Sequence, residues 1–244
     1  MKRALLLSGG VSQKLDHPWY TRDIAAYYRV LVDTHGYAKD EVRVCMGAGS
    51  PLAITEEQLI AVSPARRPDV LEAIRWLAEL GADDQAFLMV TDHGSPEGIG
   101  LWGKGQFLSP EDLAAGLGAS LATKVIVLGQ CHSGCFGRSP LGSAVVCCSC
   151  DAERFSYPVP RPAPGVEPSF SEFLYQLAGA LAGQYPDGTP IHQDGDMLPV
   201  PGRVSIGAAF RYARDHDRWI TGMQDVNELP RMFDPKGIAD ALTL

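Results

Sequence analysis

The 244-residue chain carries 21 basic and 29 acidic residues, a formal net charge of −8, with 45% hydrophobic and 20% charged residues. These values exclude a collagen, a coiled coil and a disordered tail. The acidic balance argues against a nucleic-acid binder, which needs a basic stripe to neutralise phosphates. At this length a folded chain buries roughly 70–75% of its unfolded surface, so no disulfide or metal staple is required.

Residues 4–8 form a short apolar run ending in Gly9-Gly10, the pattern of a buried strand feeding a loop. Behind Lys2 and Arg3 this run mimics a signal peptide, but it is shorter than the about 7–15 apolar residues of such a segment. No apolar run approaches the ~20 residues of a membrane span, and a cytoplasmic chain is expected. Residues 20–35 place Ile24, Tyr27, Tyr28, Leu31 and Val32 at helical spacing, with Gly36 as the stop. Residues 42–46 read as a second strand. A long loop follows over 47–64, in which residues 55–58 are able to start a helical turn. A helix over 68–80, stopped at Gly81, leads to an apolar strand at 86–90.

Residues 98–108 alternate around Gly103-Lys104-Gly105 and predict a small hairpin. Ser109-Pro110-Glu111-Asp112 is a helix start, with Ser as N-cap, Pro at the first position and acids in the first turn. Strands are expected at 124–128 and 143–148. Residues 157–168 hold five of the chain's 18 prolines and predict irregular structure within one domain spanning 1–244. Helices are expected at 169–183 and 204–216, separated by a polar loop over 184–201. Fully apolar strands separated by helices imply an α/β fold, a mainly parallel sheet with helices on both faces.

In open parallel sheets, ligands bind beyond the carboxyl ends of the strands. Two such ends carry reactive groups. Thr91-Asp92-His93-Gly94-Ser95 follows one strand, and Gly129-Gln130-Cys131-His132-Ser133-Gly134 follows the next. A free thiol has a pKa of about 8.5, so a neighbouring imidazole must take its proton or stabilise the thiolate. His93 and Cys131 are therefore a candidate base and nucleophile. Gly94 and Cys131 are candidates for the backbone N–H donors of an oxyanion hole. Taken singly, each would be an ordinary buried residue. The joint pattern at consecutive strand ends raises both.

The six cysteines are Cys45, Cys131, Cys135, Cys147, Cys148 and Cys150. They predict thiols in a reducing compartment rather than disulfides. Cys147 and Cys148 fall on opposite faces of one strand, and no regular metal-ligand spacing is present. Residues 192–196, His-Gln-Asp-Gly-Asp, could hold a hard cation, but read better as a solvated loop. No metal or cofactor is expected.

The two strand-end blocks carry a family resemblance. Thr91-Asp92-His93-Gly94-Ser95 resembles the His-Gly block of legumain-type peptidases, and Cys131-His132-Ser133-Gly134 the nucleophile block of metacaspases. Trp19-Tyr20 and Arg22 before a Tyr-rich helix are similar to the corresponding legumain segment. Residues 145–157 resemble the strand that walls the specificity pocket. The resemblance spans about residues 2–215. It implies the caspase-haemoglobinase fold, with a six-stranded sheet, and a cysteine endopeptidase working through a Cys–His dyad and a thioester. The chain starts at its first strand, so no prodomain is expected.

The resemblance also implies substrate contacts. Arg22 resembles the arginine at the pocket floor of legumains and caspases. Ser149, Asp151 and Glu153 would form the opposite wall. Gly129 stands where the family usually carries Gln, Asp or Glu, and Gln130 offers a polar group one place later. Thr21 falls near the legumain histidine-orienting Asn. Together these favour a P1 side chain of Asn, then Asp, then a basic residue. Arg154 or Arg161 would mark an optional processing site. The expected partner is a peptide or protein substrate, without nucleic acid or membrane and with room for a regulatory protein. Transpeptidation by the same dyad and an inactive caspase-like scaffold are the alternatives.

Overall fold

The computed structural model describes residues 1–160, 165–191, 202–221 and 227–244. Strand β1 (Lys2–Ser8) is followed by helix α1 (Pro18–Arg29), which a π-turn over Val30–Thr34 prolongs, and by β2 (Val42–Met46). The expected loop at 47–64 contains a small hairpin, β3 (Leu52–Ala53) with β4 (Leu59–Ile60), rather than a helical turn. Helix α2 (Arg67–Ala78) and strand β5 (Gln85–Val90) come next. The predicted hairpin is present as β7 (Gly98–Gly100) with β8 (Phe107–Leu108), joined by the two-residue β6 (Gly94–Ser95). Then come α3 (Pro110–Leu117), β9 (Thr123–Leu128), β10 (Ala144–Cys148), α4 (Glu172–Ala182), α5 (Ile206–Asp215), α6 (Arg218–Thr221) and β11 (Arg231–Phe233).

The main sheet has six strands in the order β11-β10-β9-β5-β1-β2. All its pairings are parallel except β10 with β11. β11 was not anticipated, because three residues are too few to show an alternation.

Each strand contributes alternate residues to two apolar cores. Leu6, Met89, Val127 and Cys147 pack under α1, α4 and α5, with Tyr27, Phe173 and Phe210. Leu5, Leu7, Leu88, Leu128 and Cys148 pack under α2 and α3, with Val70, Ile74 and Leu113. Cys147 and Cys148 thus face opposite ways. Fully burying each Leu, Ile or Phe contributes about 1.5–3 kcal/mol. Truncating Ile74, which is fully buried, to Ala should cost about 2–5 kcal/mol.

Local signals act as the chemistry requires. The Ser109 hydroxyl accepts the Asp112 N–H at 3.1 Å and the Asp112 carboxylate accepts the Ser109 N–H at 3.2 Å, closing a capping box. Gly183 ends α4 at φ +72°, a backbone state that a Cβ would strain. Among the described residues no helix is long and apolar enough to cross a membrane.

The two cores place α1 on one face and α3 on the other. The chain leaving β1 and the chain leaving the neighbouring β5 therefore diverge, and their carboxyl ends open a crevice at that switch point.

Candidate active site

Val90 of β5 and Leu128 of β9 are register partners, and His93 and Cys131 each lie three residues beyond them. The ladder closes with the Gly129 N–H donating to the Val90 carbonyl at 2.8 Å and the Thr91 N–H to the Leu7 carbonyl at 3.0 Å. Past that point the chains are free to diverge. The buried Asp92 carboxylate holds the loops together by accepting the N–H groups of Gly9, Gly10 and His93. Burial pushes the Asp92 carboxyl well above its usual range, and those N–H groups oppose the shift.

His93 Nε2 lies 2.8 Å from the Leu15 carbonyl oxygen. A carbonyl only accepts, so Nε2 carries the proton and Nδ1 keeps the free lone pair. The orienting group is this backbone oxygen. Thr21, the position suggested by the resemblance, instead borders a different cavity beside Trp102. The His93 ring meets Tyr20 edge-on at 5.6 Å and lies 4.9 Å from His17, which stacks on Trp19 at 3.9 Å.

Cys131 is half-buried and free. The Ser156 N–H donates to its Sγ at 3.4 Å, and the thiol donates to the Ser156 carbonyl at 3.7 Å. Burial pushes the thiol pKa up, and the Ser156 backbone N–H opposes this. No hydrogen bond joins Cys131 to His93 among the described residues. They line a common cavity of about 260 Å³, whose walls also include His17, Trp19, Tyr20, Asp92, Gly129, Ser156, Tyr157, Pro158 and Ser171. At rest the thiol bonds to the Ser156 backbone rather than to the His93 ring.

Gly94 packs directly against the Cys131 loop. A methyl group there would overlap the Cys131 carbonyl oxygen and come within 2.6 Å of Gln130 Cγ. Among the described residues no backbone hydrogen bond from the Cys131 N–H to another residue is made, so it is open to an oxyanion. His132 adopts a left-handed backbone at φ 58°, ψ 19°. Its Nδ1 lies 2.8 Å from the Ala152 carbonyl and its ring packs on Phe155 at 5.2 Å. That backbone turn, not strand alternation, directs His132 away from the thiol.

The substrate-contact residues expected from the resemblance lie elsewhere. Arg22 is exposed and donates to the Pro168 carbonyl at 3.1 Å. Gln130 is buried, with both polar atoms of its side-chain amide unpartnered, and it does not line the cavity. The Ser149 hydroxyl is fully buried and donates to the Gln130 carbonyl at 3.3 Å. Asp151 is ion-paired with Arg231 at 2.8 Å, and Glu153 is exposed. None of the five borders the cavity, because the chain turns at 151–154 and delivers residues 156–158 to it instead. The Arg154 carbonyl accepts the His132 N–H at 2.9 Å, so cleavage after Arg154 would unpick the nucleophile turn. Arg161 and residues 192–196 lie outside the described residues. Among those described, no cluster of His, Cys, Asp and Glu has the arrangement of a metal site.

Several site residues escaped the sequence reading. Asp23 is fully buried beneath the cavity and accepts the hydroxyls of Thr91 and Ser171, each at 2.6 Å, and the Ser171 N–H at 3.1 Å. Burial pushes its carboxyl up to about 7 against those hydrogen bonds. A signal existed: Tyr20, Asp23, Ile24 and Tyr27 occupy i, i+3, i+4 and i+7 of the buried stripe of α1, so an acid sat on an apolar face. Glu228 accepts the Tyr157 N–H, and Trp219 donates to the Pro158 carbonyl at 2.8 Å. The far C-terminal part of the chain thus backs the cavity wall. Burial and the neighbouring Asp217 keep the Glu228 carboxyl well above its usual range. No family model matches this chain, and no curated protein matches it.

Proposed function

We propose that the chain is a cysteine endopeptidase of the caspase-haemoglobinase fold, with Cys131 as nucleophile and His93 as base and then acid. The observation that carries this reading is the shared register of His93 and Cys131, three residues past a paired Val90 and Leu128, lining one cavity. Strand order and two-faced helical cover are consistent with that fold.

In the reaction the Cys131 thiol turns from the Ser156 carbonyl and gives its proton to His93 Nδ1. The thiolate adds to the scissile carbonyl carbon. The developing oxyanion is met by the Cys131 and Gly94 N–H groups. Collapse expels the amine, which takes the proton back from His93, and leaves a thioester. Water, deprotonated by His93, then releases the acid and the free thiol. The Leu15 carbonyl keeps Nδ1 available throughout by holding the proton on Nε2.

All six cysteines are free, which supports a reducing, cytoplasmic setting. The test is covalent labelling by a peptidyl electrophile with intact-mass readout. One adduct, lost in Cys131→Ala and strongly slowed in His93→Ala, is expected. Labelling that persists in Cys131→Ala overturns the assignment. Adding a competing amine to a cleavage reaction separates the transfer chemistry, since only that outcome yields an amide of the amine.

A further inference from the structure

We propose that Glu228 is a positioning residue for the cavity wall: it carries one proton, donates it to Asp217, and with its other oxygen seats the Tyr157 N–H, so that residues 156–158 stand in place beside Cys131. The inference rests on the peptidase reading and goes beyond it, naming what fixes the wall that substrate would meet and when that hold is lost.

Residues 156–158 line the cavity but belong to no helix and to none of the named strands. Their backbone groups are held from outside. The Ser156 N–H goes to Cys131 Sγ at 3.4 Å, and the Tyr157 carbonyl takes the Glu172 N–H at 3.0 Å. The Pro158 carbonyl takes the Trp219 indole N–H at 2.8 Å, and the Tyr157 N–H goes to the Glu228 carboxyl. Glu228 also fastens the turn before the wall, since its backbone carbonyl accepts the Asp151 N–H at 3.1 Å. Asp217 sets Trp219 by accepting its backbone N–H at 2.8 Å, and the Trp219 ring packs on Tyr157 at 5.1 Å. Asp217 and Glu228 thus hold the same wall by two routes.

Both carboxyls are fully buried, and their side chains hydrogen-bond to each other. A carboxylate only accepts, so two of them cannot share a hydrogen bond without a proton. The oxygens assign that proton. Glu228 Oε1 takes the Tyr157 N–H, and no other donor approaches Oε2. A proton on Oε2, given to Asp217, satisfies both carboxyls. Burial and Asp217 raise the Glu228 carboxyl well above its usual range, so the proton stays beyond the pH at which an exposed carboxyl loses it.

The charges around the pair do not replace that proton. Arg218 is committed to Glu172 through Nε and Nη2, Arg231 to Asp151, and Arg154 is exposed. The thiols of Cys131 and Cys150 and the phenol of Tyr157 are themselves raised by burial. When rising pH takes the proton, two negative charges are left in contact in a buried place and the pair separates. Tyr157 and Pro158 then lose their anchors.

The experiment uses the full chain and reads KM for one cleaved peptide, together with amide hydrogen exchange across residues 155–159, from about pH 6 to 9. In the unmodified chain KM should climb by about 3–10-fold toward the alkaline end. Glutamine keeps both hydrogen bonds, accepting from Tyr157 and donating to Asp217, but has no proton to lose. Glu228→Gln should therefore show a KM that is flat with pH, and slower 155–159 exchange than the unmodified chain at alkaline pH. Glu228→Ala should raise KM at every pH by at least ~5-fold, with kcat moving less than about threefold. Equal pH dependence of KM in the unmodified chain and Glu228→Gln, or a folded Glu228→Ala with unchanged KM, overturns the inference and leaves the peptidase standing. If Glu228→Ala does not fold, the comparison with Glu228→Gln decides alone. If no peptide is cleaved and no peptidyl electrophile labels Cys131, the peptidase reading falls. The exchange comparison then still decides whether Glu228 holds the wall: slower exchange in Glu228→Gln at alkaline pH supports it, and equal exchange overturns it.

Discussion

The imidazole of His93 donates from Nε2 to the backbone oxygen of Leu15 at 2.8 Å, which leaves Nδ1 as the ring's only lone pair. A base oriented by a backbone carbonyl cannot lose its partner to a side-chain change. His93→Ala should lower kcat by at least ~100-fold, the scale of general-base catalysis. His132→Ala should cost far less, since that ring is spent on Ala152 and Phe155. Steady-state kinetics on both variants checks this. A dead His132→Ala with an active His93→Ala would reverse the assignment.

The thiol of Cys131 is held in its neutral form chiefly by burial. Its pKa lies above the ordinary thiol value, so the thiolate fraction of the free protein climbs as pH rises through neutrality. Alkylation of Cys131 by iodoacetamide, followed site by site by mass spectrometry, should therefore accelerate with pH and show no plateau below about 8.5. A plateau near pH 6 would mean a preformed thiolate–imidazolium pair.

Gly94 has no room for a Cβ, which would strike the Cys131 carbonyl. Gly94→Ala must move the nucleophile relative to His93, and displacements of about 1 Å in a catalytic pair cost ~100-fold. The expected result is a kcat/KM lowered by about that factor. Gly81→Ala is the control. Its Cβ would meet only Asp84 Oδ2, at 3.5 Å, and activity should change by less than about threefold.

Asp23 has a folded-state pKa of about 7, above its ordinary 3.8. Between those values the folded chain binds the proton that the unfolded chain has released. The contribution of Asp23 to stability is thus fully present below pH 3.8, falls as pH rises, and is lost past pH 7. Asp23→Asn lacks this slope. Urea midpoints should move in favour of Asp23→Asn as pH goes from 4.5 to 7 and then hold steady to pH 8.5. A difference independent of pH would show that Asp23 is already ionised at pH 4.5.

Helices α1 to α5 and five strands of the main sheet were legible because each repeats a local rule: helical spacing or start and stop residues for the helices, and continuous apolar runs for β1, β2, β5, β9 and β10. The candidate dyad was legible for the same reason. His93 and Cys131 are counted from the ends of two apolar runs, and adjacent parallel strands keep that count in register. The left-handed turn at His132 carries no such period and had no local mark.

The walls of the cavity were decided by tertiary structure. Neighbouring residues on a helix diverge by 100°, so the one-residue difference between Arg22 and Asp23 separates an exposed guanidinium from a buried carboxyl. The Leu15 carbonyl is a backbone atom, identical in every residue type, and only the path of the β1–α1 loop brings it to His93. Glu228 reaches Tyr157 across 71 residues of chain, a distance over which local spacing holds no information. Periodicity and strand register follow from short-range geometry and can be read along one dimension. Which polar groups share a cavity depends on loop closure between distant segments, which the packing of the whole sheet and its helices decides.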